Sequence, residues 1–171
     1  LIIIRKIWKV HKNNIFNIIG PDNKNEKKKL NQISKNLNLQ KYIKFHKPIY
    51  GPKKYGILQK SNFIFLTSFY ECNSILALEV VACGGVLLTT KNCNLDFLIE
   101  NNAAIEIDTN YKIASKQILD IIKKKKLTNK IRSNAVDYSL KHNSKYFYKK
   151  ISLEYSNLIN NIYWGYEIFF F

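Results

Sequence analysis

Residues 62–90, NFIFLTSFYECNSILALEVVACGGVLLTT, run through an apolar segment, a polar loop, a longer apolar segment, a glycine pair and a third apolar segment. That order predicts one strand–helix–strand unit. Residues 63–66 are bulky with no polar alternation, as expected of a strand buried on both faces of a parallel sheet. Residues 67–73 form the exit loop, and residues 75–83 are long enough for a helix. Gly84-Gly85 stands where a left-handed C-terminal cap is usually placed. Residues 86–90 are the next strand. Parallel strands require a crossover, almost always right-handed, so the loop at 67–73 belongs at the carboxyl edge of the sheet, where open α/β folds bind ligands.

Two carboxylates bear on what that edge does. Glu79 sits in ILALEVVAC among apolar neighbours, and an unpaired buried carboxylate costs several kcal/mol, so something must hold it. Kept for a ligand, it is a liability to the empty domain, so Glu79→Gln is expected to leave that domain equally or more stable, whereas a Glu79 paired with a lysine from a neighbouring helix would behave in the opposite way. Glu71 lies eight residues earlier, in the loop. Between them Cys72, Asn73 and Ser74 lead into the helix, whose free N-terminal amides favour phosphate. Amides for an anion and carboxylates for hydroxyl groups together suit a sugar joined to a nucleotide diphosphate. Spacing alone equally allows a Glu79 that faces solvent on an amphipathic helix and a Glu71 that is an ordinary loop acid.

The spacing Glu71, seven residues, Glu79, followed by Ala82-Cys83-Gly84 and Thr89-Thr90, closely resembles the E-x7-E signature of retaining GT-B glycosyltransferases of family 4, the glycosyl transferases group 1 family. Phe45-His46-Lys47-Pro48 is similar to the family's F-x-G-x segment, residues 58–68 to the strand before the signature, and residues 95–100 to the helix after it. The resemblance covers residues 1 to about 160. It implies an α/β fold, a Rossmann-like parallel sheet flanked by helices, forming the C-terminal half of a GT-B enzyme. It also implies a hexose transferred from a UDP- or GDP-linked nucleotide diphosphate sugar to a glycan or lipid-linked acceptor. Glu71 would be the catalytic carboxylate at the sugar hydroxyls, and Glu79 would bind the ribose. Amides near Cys72, Asn73, Ser74 and Ile75 would face the sugar or diphosphate, and Ser68 would line the pocket. No metal and no cofactor are implied. Thr67, Cys72 and Val86 depart from the family's proline, glycine and proline, and Lys47 from its glycine. The family's acceptor-binding N-terminal domain, and the basic pair that grips the pyrophosphate, have no counterpart in this chain, which alone is expected not to catalyse transfer.

Length and charge set the wider frame. At 171 residues the chain is one domain by the usual prior. We expect it to span 1–162, with 163–171 as an aromatic tail that packs on another domain, touches a membrane surface or is not native. The net charge of +16 invites nucleic acid or an anionic membrane. Lysines are nevertheless spread over several helices, without the aromatic-interleaved stripe of a nucleic-acid binder, so nucleic acid is not the expected partner. The densest run, Lys123 to Lys126, is expected at a helix end, where cations suit the dipole. Cys72, Cys83 and Cys93 are odd in number and lack metal-ligand spacing, which suggests reduced thiols in a cytoplasmic protein, compatible with peripheral contact at the inner face of a membrane. A basic non-catalytic binding module, or a decayed fragment, is the alternative from another class.

The flanks continue the α/β pattern. Ile4, Ile7, Trp8 and His11 share a helical face, residues 15–19 are a strand, and Leu30, Ile33 and Leu37 form the apolar stripe of a surface helix. Residues 42–46 are a strand ending at His46, which is better placed for packing or a hydrogen bond than for catalysis. A short helix at 52–60 leads into the central unit. After it come a helix at 95–100, a strand at 104–107, a helix at 111–124 with Ala114, Ile118, Ile121 and Ile122 inward, a helix marked by Ile131, Ala135 and Tyr138, and a last one marked by Phe147, Ile151, Tyr155, Leu158 and Ile162.

Overall fold

The computed structural model describes residues 1–12, 14–22, 26–71 and 74–142. In chain order these form α1 (Ile2–Val10), β1 (Phe16–Ile19), α2 (Glu26–Asn36), β2 (Ile43–His46), α3 (Pro52–Lys60) and β3 (Ile64–Leu66). There follow α4 (Ile75–Ala82), β4 (Leu87–Thr89), a 3-10 turn at Lys91–Cys93, α5 (Asp96–Glu100), β5 (Ile105–Glu106), α6 (Tyr111–Lys123) and α7 (Lys125–Lys141). The last expected helix and the aromatic tail lie outside the described residues.

All strand pairs are parallel: β1 pairs with β2, and β4 lies between β3 and β5. The single sheet expected is therefore present as two parallel pieces, with no strand among the described residues joining β1 to β3. The pieces still share a core. Phe16 of β1 and Phe63 ahead of β3 pack on a cluster formed by Ile7 of α1, Leu88 of β4, Ile107, and Ala114 and Ile118 of α6. On the opposite face Leu87 joins Ala77, Val80 and Val81 of α4, Leu98 of α5 and Ala135 of α7. Successive strand residues point to opposite faces, so the full burial of both Leu87 and Leu88 marks β4 as the strand covered on both sides.

The same expectation for 63–66 needs correction. Phe65 is exposed and Ile64 and Leu66 are only half-buried, because among the described residues β3 has a strand neighbour on one side only. On α2, Leu30 and Leu37 are half-buried as the stripe requires, but Ile33 is 44% exposed and Ser34, 1% exposed, takes its place. Ser34 tolerates burial because its hydroxyl donates to the Asn31 carbonyl at 2.8 Å. Lys123 does close α6, but Lys125 and Lys126 open α7, so half of that basic run faces an unfavourable dipole end. No helix among the described residues is long and apolar enough to cross a membrane.

The glycine pair between α4 and β4 divides its work. Gly84 has φ +66° and takes the left-handed cap. Gly85 is needed for close approach instead: a Cβ there would sit 2.7 Å from Val80 Cγ1, 2.8 Å from Ile64 Cδ1 and 3.1 Å from the Val80 carbonyl oxygen. Gly85→Ala should therefore push α4 off β3 and lower stability by about 1–3 kcal/mol, the usual cost of overpacking. Chemical denaturation of the two proteins checks this, and equal midpoints would show that the contact relaxes freely.

Candidate functional site

The site expected from the sequence lies at the carboxyl ends of β3 and β4. Ser68 follows the end of β3, Glu71 lies further along the same loop, and α4 begins at Ile75. Cys72 and Asn73 are outside the described residues. Ser74 is the N-cap of α4: its Oγ accepts from the Ala77 N–H at 3.3 Å, and the residue is buried. Its hydroxyl is thus committed to the helix, so what Ser74 can offer a ligand is its main-chain amide. The Leu78 N–H goes to the Ser74 carbonyl at 3.3 Å. The Ile75 and Leu76 N–H groups remain outside the helix's own ladder, at its positive end.

Two residues after β4 hold the loop, and neither was singled out from the sequence for this task. The buried Cys93 thiol donates to the Leu66 carbonyl at 3.3 Å and lies 3.8 Å from that of Ser68. Asn94 adopts φ 51°, in the left-handed region, and its Nδ2 donates to the Glu71 carbonyl at 2.9 Å. The main chain at Ser68 and Glu71 is therefore set by the 3-10 turn. Asparagine tolerates that backbone conformation better than most residues, which is the only signal in the sequence for Asn94.

Glu79, in the second turn of α4, is held by Lys54 of α3. The Lys54 ammonium contacts Oε2 of Glu79, with the two side chains 27% and 20% exposed. Oε2 itself is fully buried and accepts no aligned hydrogen bond among the described residues, so the contact is ionic in character. The first turn of α3 carries no acidic residue. A cation there opposes the helix dipole, and Glu79 is what makes the position favourable. The carboxylate is also felt one turn on: burial pushes the Cys83 thiol above its ordinary value, and Glu79 adds to the shift. That disfavours the thiolate and any nucleophilic role for Cys83.

Around these groups the edge is apolar and open. Tyr50, Phe69, Tyr70, Ile75 and Leu78 are all exposed, Phe69 at 98%. His46, at the end of β2, uses Nε2 for a 2.9 Å hydrogen bond with Asn17 Oδ1 of β1 and so links the two strands. Among the described residues no three His, Cys, Asp or Glu side chains are grouped as a metal site would require.

A Rossmann-like domain, with parallel strands flanked by helices and the α4 N-terminus at the carboxyl edge, is the class defined by this fold. The chain belongs to the family of glycosyl transferases group 1, which residues 3–137 match. Among solved structures it is similar to a glycosyltransferase from Rickettsia africae, with TM-score 0.72 and 17% identity over 94% of this chain and 44% of that one. It is also similar to the C-terminal domain of a glycosyl transferase group 1 family protein, LpcC, from Francisella tularensis, with TM-score 0.68 and 21% identity over 82% of this chain and 76% of that one. WaaG, a glycosyltransferase involved in lipopolysaccharide biosynthesis, aligns with TM-score 0.67 and 16% identity, over 82% of this chain and 38% of its own length. The chain thus spans less than half of the longer relatives it matches. Among curated proteins, no sequence matches.

Proposed function

We propose that this chain is the donor-binding half of a retaining glycosyltransferase of family 4, which moves a hexose from a UDP- or GDP-linked sugar to a glycan or lipid-linked acceptor. The observation that carries the reading is that Glu71, in the loop before α4, and Glu79, in its second turn, flank the α4 N-terminus along the chain, where two amides lie outside the helix ladder. Carboxylates accept hydrogen bonds from vicinal hydroxyls, and helix amides favour phosphate. Glu79 takes the ribose and Glu71 the transferred sugar. The Ile75 and Leu76 amides face the diphosphate, together with those of Cys72 and Asn73. When the bond between the anomeric carbon and the diphosphate oxygen breaks, negative charge grows on the diphosphate, and amides already aimed there stabilise it.

An N-terminal domain supplies the acceptor and closes over the edge, which fits the exposure of Phe69, Tyr70 and Ile75. The free thiols of Cys83 and Cys93 suit work in the cytoplasm, and the net charge of +16 suits peripheral contact with an anionic inner leaflet.

Calorimetric titration of the purified chain with UDP- and GDP-sugars tests the assignment. One of the two series should give saturable one-to-one binding, weakened by Glu71→Gln, with no sugar transfer by the chain alone, because positioning both substrates is a large part of lowering the barrier. Tight, salt-sensitive binding to DNA or anionic vesicles, with no response to either nucleotide sugar, would identify a basic binding module instead.

A further inference from the structure

We infer that Lys54 is a positioning residue for the donor: it clamps the inner oxygen of Glu79 and so aims the outer oxygen at the ribose hydroxyls. The inference rests on the proposed role of Glu79 and adds to it a residue from a different helix. Oε2 is the buried oxygen and is the one the ammonium holds, which leaves Oε1 as the oxygen a ligand must use. A carboxylate on a three-torsion side chain with neither oxygen anchored samples several rotamers, and fixing one oxygen removes most of them before the ligand arrives. The anchor comes from the first turn of α3, and the carboxylate from the second turn of α4. Both helices start at the carboxyl edge of the strands that precede them, so the pair lies beside the face where the nucleotide binds.

The clamp acts on hydroxyl recognition and not on the phosphates, which separates it from a general basic contact. Ribose carries a vicinal diol, and 2′,3′-dideoxynucleotides lack it while keeping base and diphosphate. The ratio of affinities for UDP and 2′,3′-dideoxy-UDP, and for the guanosine pair, therefore reads recognition of the ribose hydroxyls, the step assigned to Glu79, and not of the phosphates. Lys54→Met should lower the affinity for the better ribonucleotide by about tenfold and leave the dideoxy affinity unchanged. Lys54→Arg, which keeps the charge and the donor, should restore most of the discrimination. Lys54→Gln removes the charge while keeping a polar side chain beside the carboxylate, so it disturbs folding less than methionine and should lose the discrimination to a similar degree.

The outcomes separate the two claims. A wild-type chain that binds ribo- and dideoxynucleotides equally would remove Glu79 from the ribose, and Lys54 with it. Discrimination by the wild type that survives in both Lys54→Met and Lys54→Gln would overturn the role of Lys54 alone. An equal loss for both nucleotides would also overturn it, by showing that the ammonium touches phosphate. Loss of discrimination with rescue by arginine is the result expected of the clamp.

Discussion

Arg132→Ala is expected to lower the stability of the domain by about 2–3 kcal/mol, the usual range for hydrogen bonds to a charged group. The guanidinium of Arg132, on α7, donates to three carbonyls: Nη1 to Gly84 at 2.7 Å, and Nη2 to Ser61 at 3.2 Å and Asn62 at 3.0 Å. Gly84 closes α4 and residues 61 and 62 precede β3, so one side chain ties α7 to the entries of both β4 and β3. Asn62 is exposed and water can replace part of what is lost, which is why three contacts do not count three times. Lysine cannot reproduce the fork, so Arg132→Lys should recover well under half of the difference. In thermal unfolding the alanine variant should melt about 5–10 °C lower. Its nucleotide affinity should be unchanged, since Arg132 works at the amino edge and the candidate site is at the carboxyl edge. A melting temperature within a degree of wild type would show that these contacts do not hold the domain together.

Arg132 also illustrates what the sequence could and could not tell. Its helix was legible: Ile131, Ala135 and Tyr138 recur at helical spacing, and Ile131 and Ala135 are buried. Its partners lie 48, 71 and 70 residues away, and no local pattern encodes such contacts. The strand–helix–strand unit was legible for the opposite reason. Continuous apolar runs and Gly84 as stop act within a few residues of one another, and α4 begins and ends within a residue of expectation. Where a local rule depends on a distant neighbour it fails. Residues 63–66 read as a strand buried on both faces, yet among the described residues β3 has a strand on one side only. Ile33 fitted the α2 stripe, but the core takes Ser34. At the candidate site the sequence placed the acids and the helix end. Lys54, Cys93 and Asn94 were missed as its supports because each acts across a gap of more than twenty residues.

Glu79→Gln is expected to lower both stability and donor affinity, and the first of these reverses what the sequence alone implies. Without a partner, a carboxylate among apolar residues would be a liability to the empty domain, and its neutral isostere would relieve desolvation. The Lys54 ammonium changes the sign, because glutamine would leave a half-buried cation facing an amide. The penalty is kept small, about 1 kcal/mol, by the partial exposure of both side chains and by the long lysine stem, which lets the ammonium turn to water. The affinity term is larger. A ribose hydroxyl bonded to a carboxylate is worth about 1.5–3 kcal/mol, so UDP or GDP should bind about ten- to a hundredfold more weakly. Denaturant unfolding and calorimetry on the same two preparations separate the terms. A stability loss with unchanged affinity would mean that Glu79 serves only to hold α3 against α4, and the donor site would have to be sought elsewhere on the edge. Unchanged stability with weakened binding would mean that the ion pair is energetically silent in the empty domain and that the carboxylate is retained for the ligand.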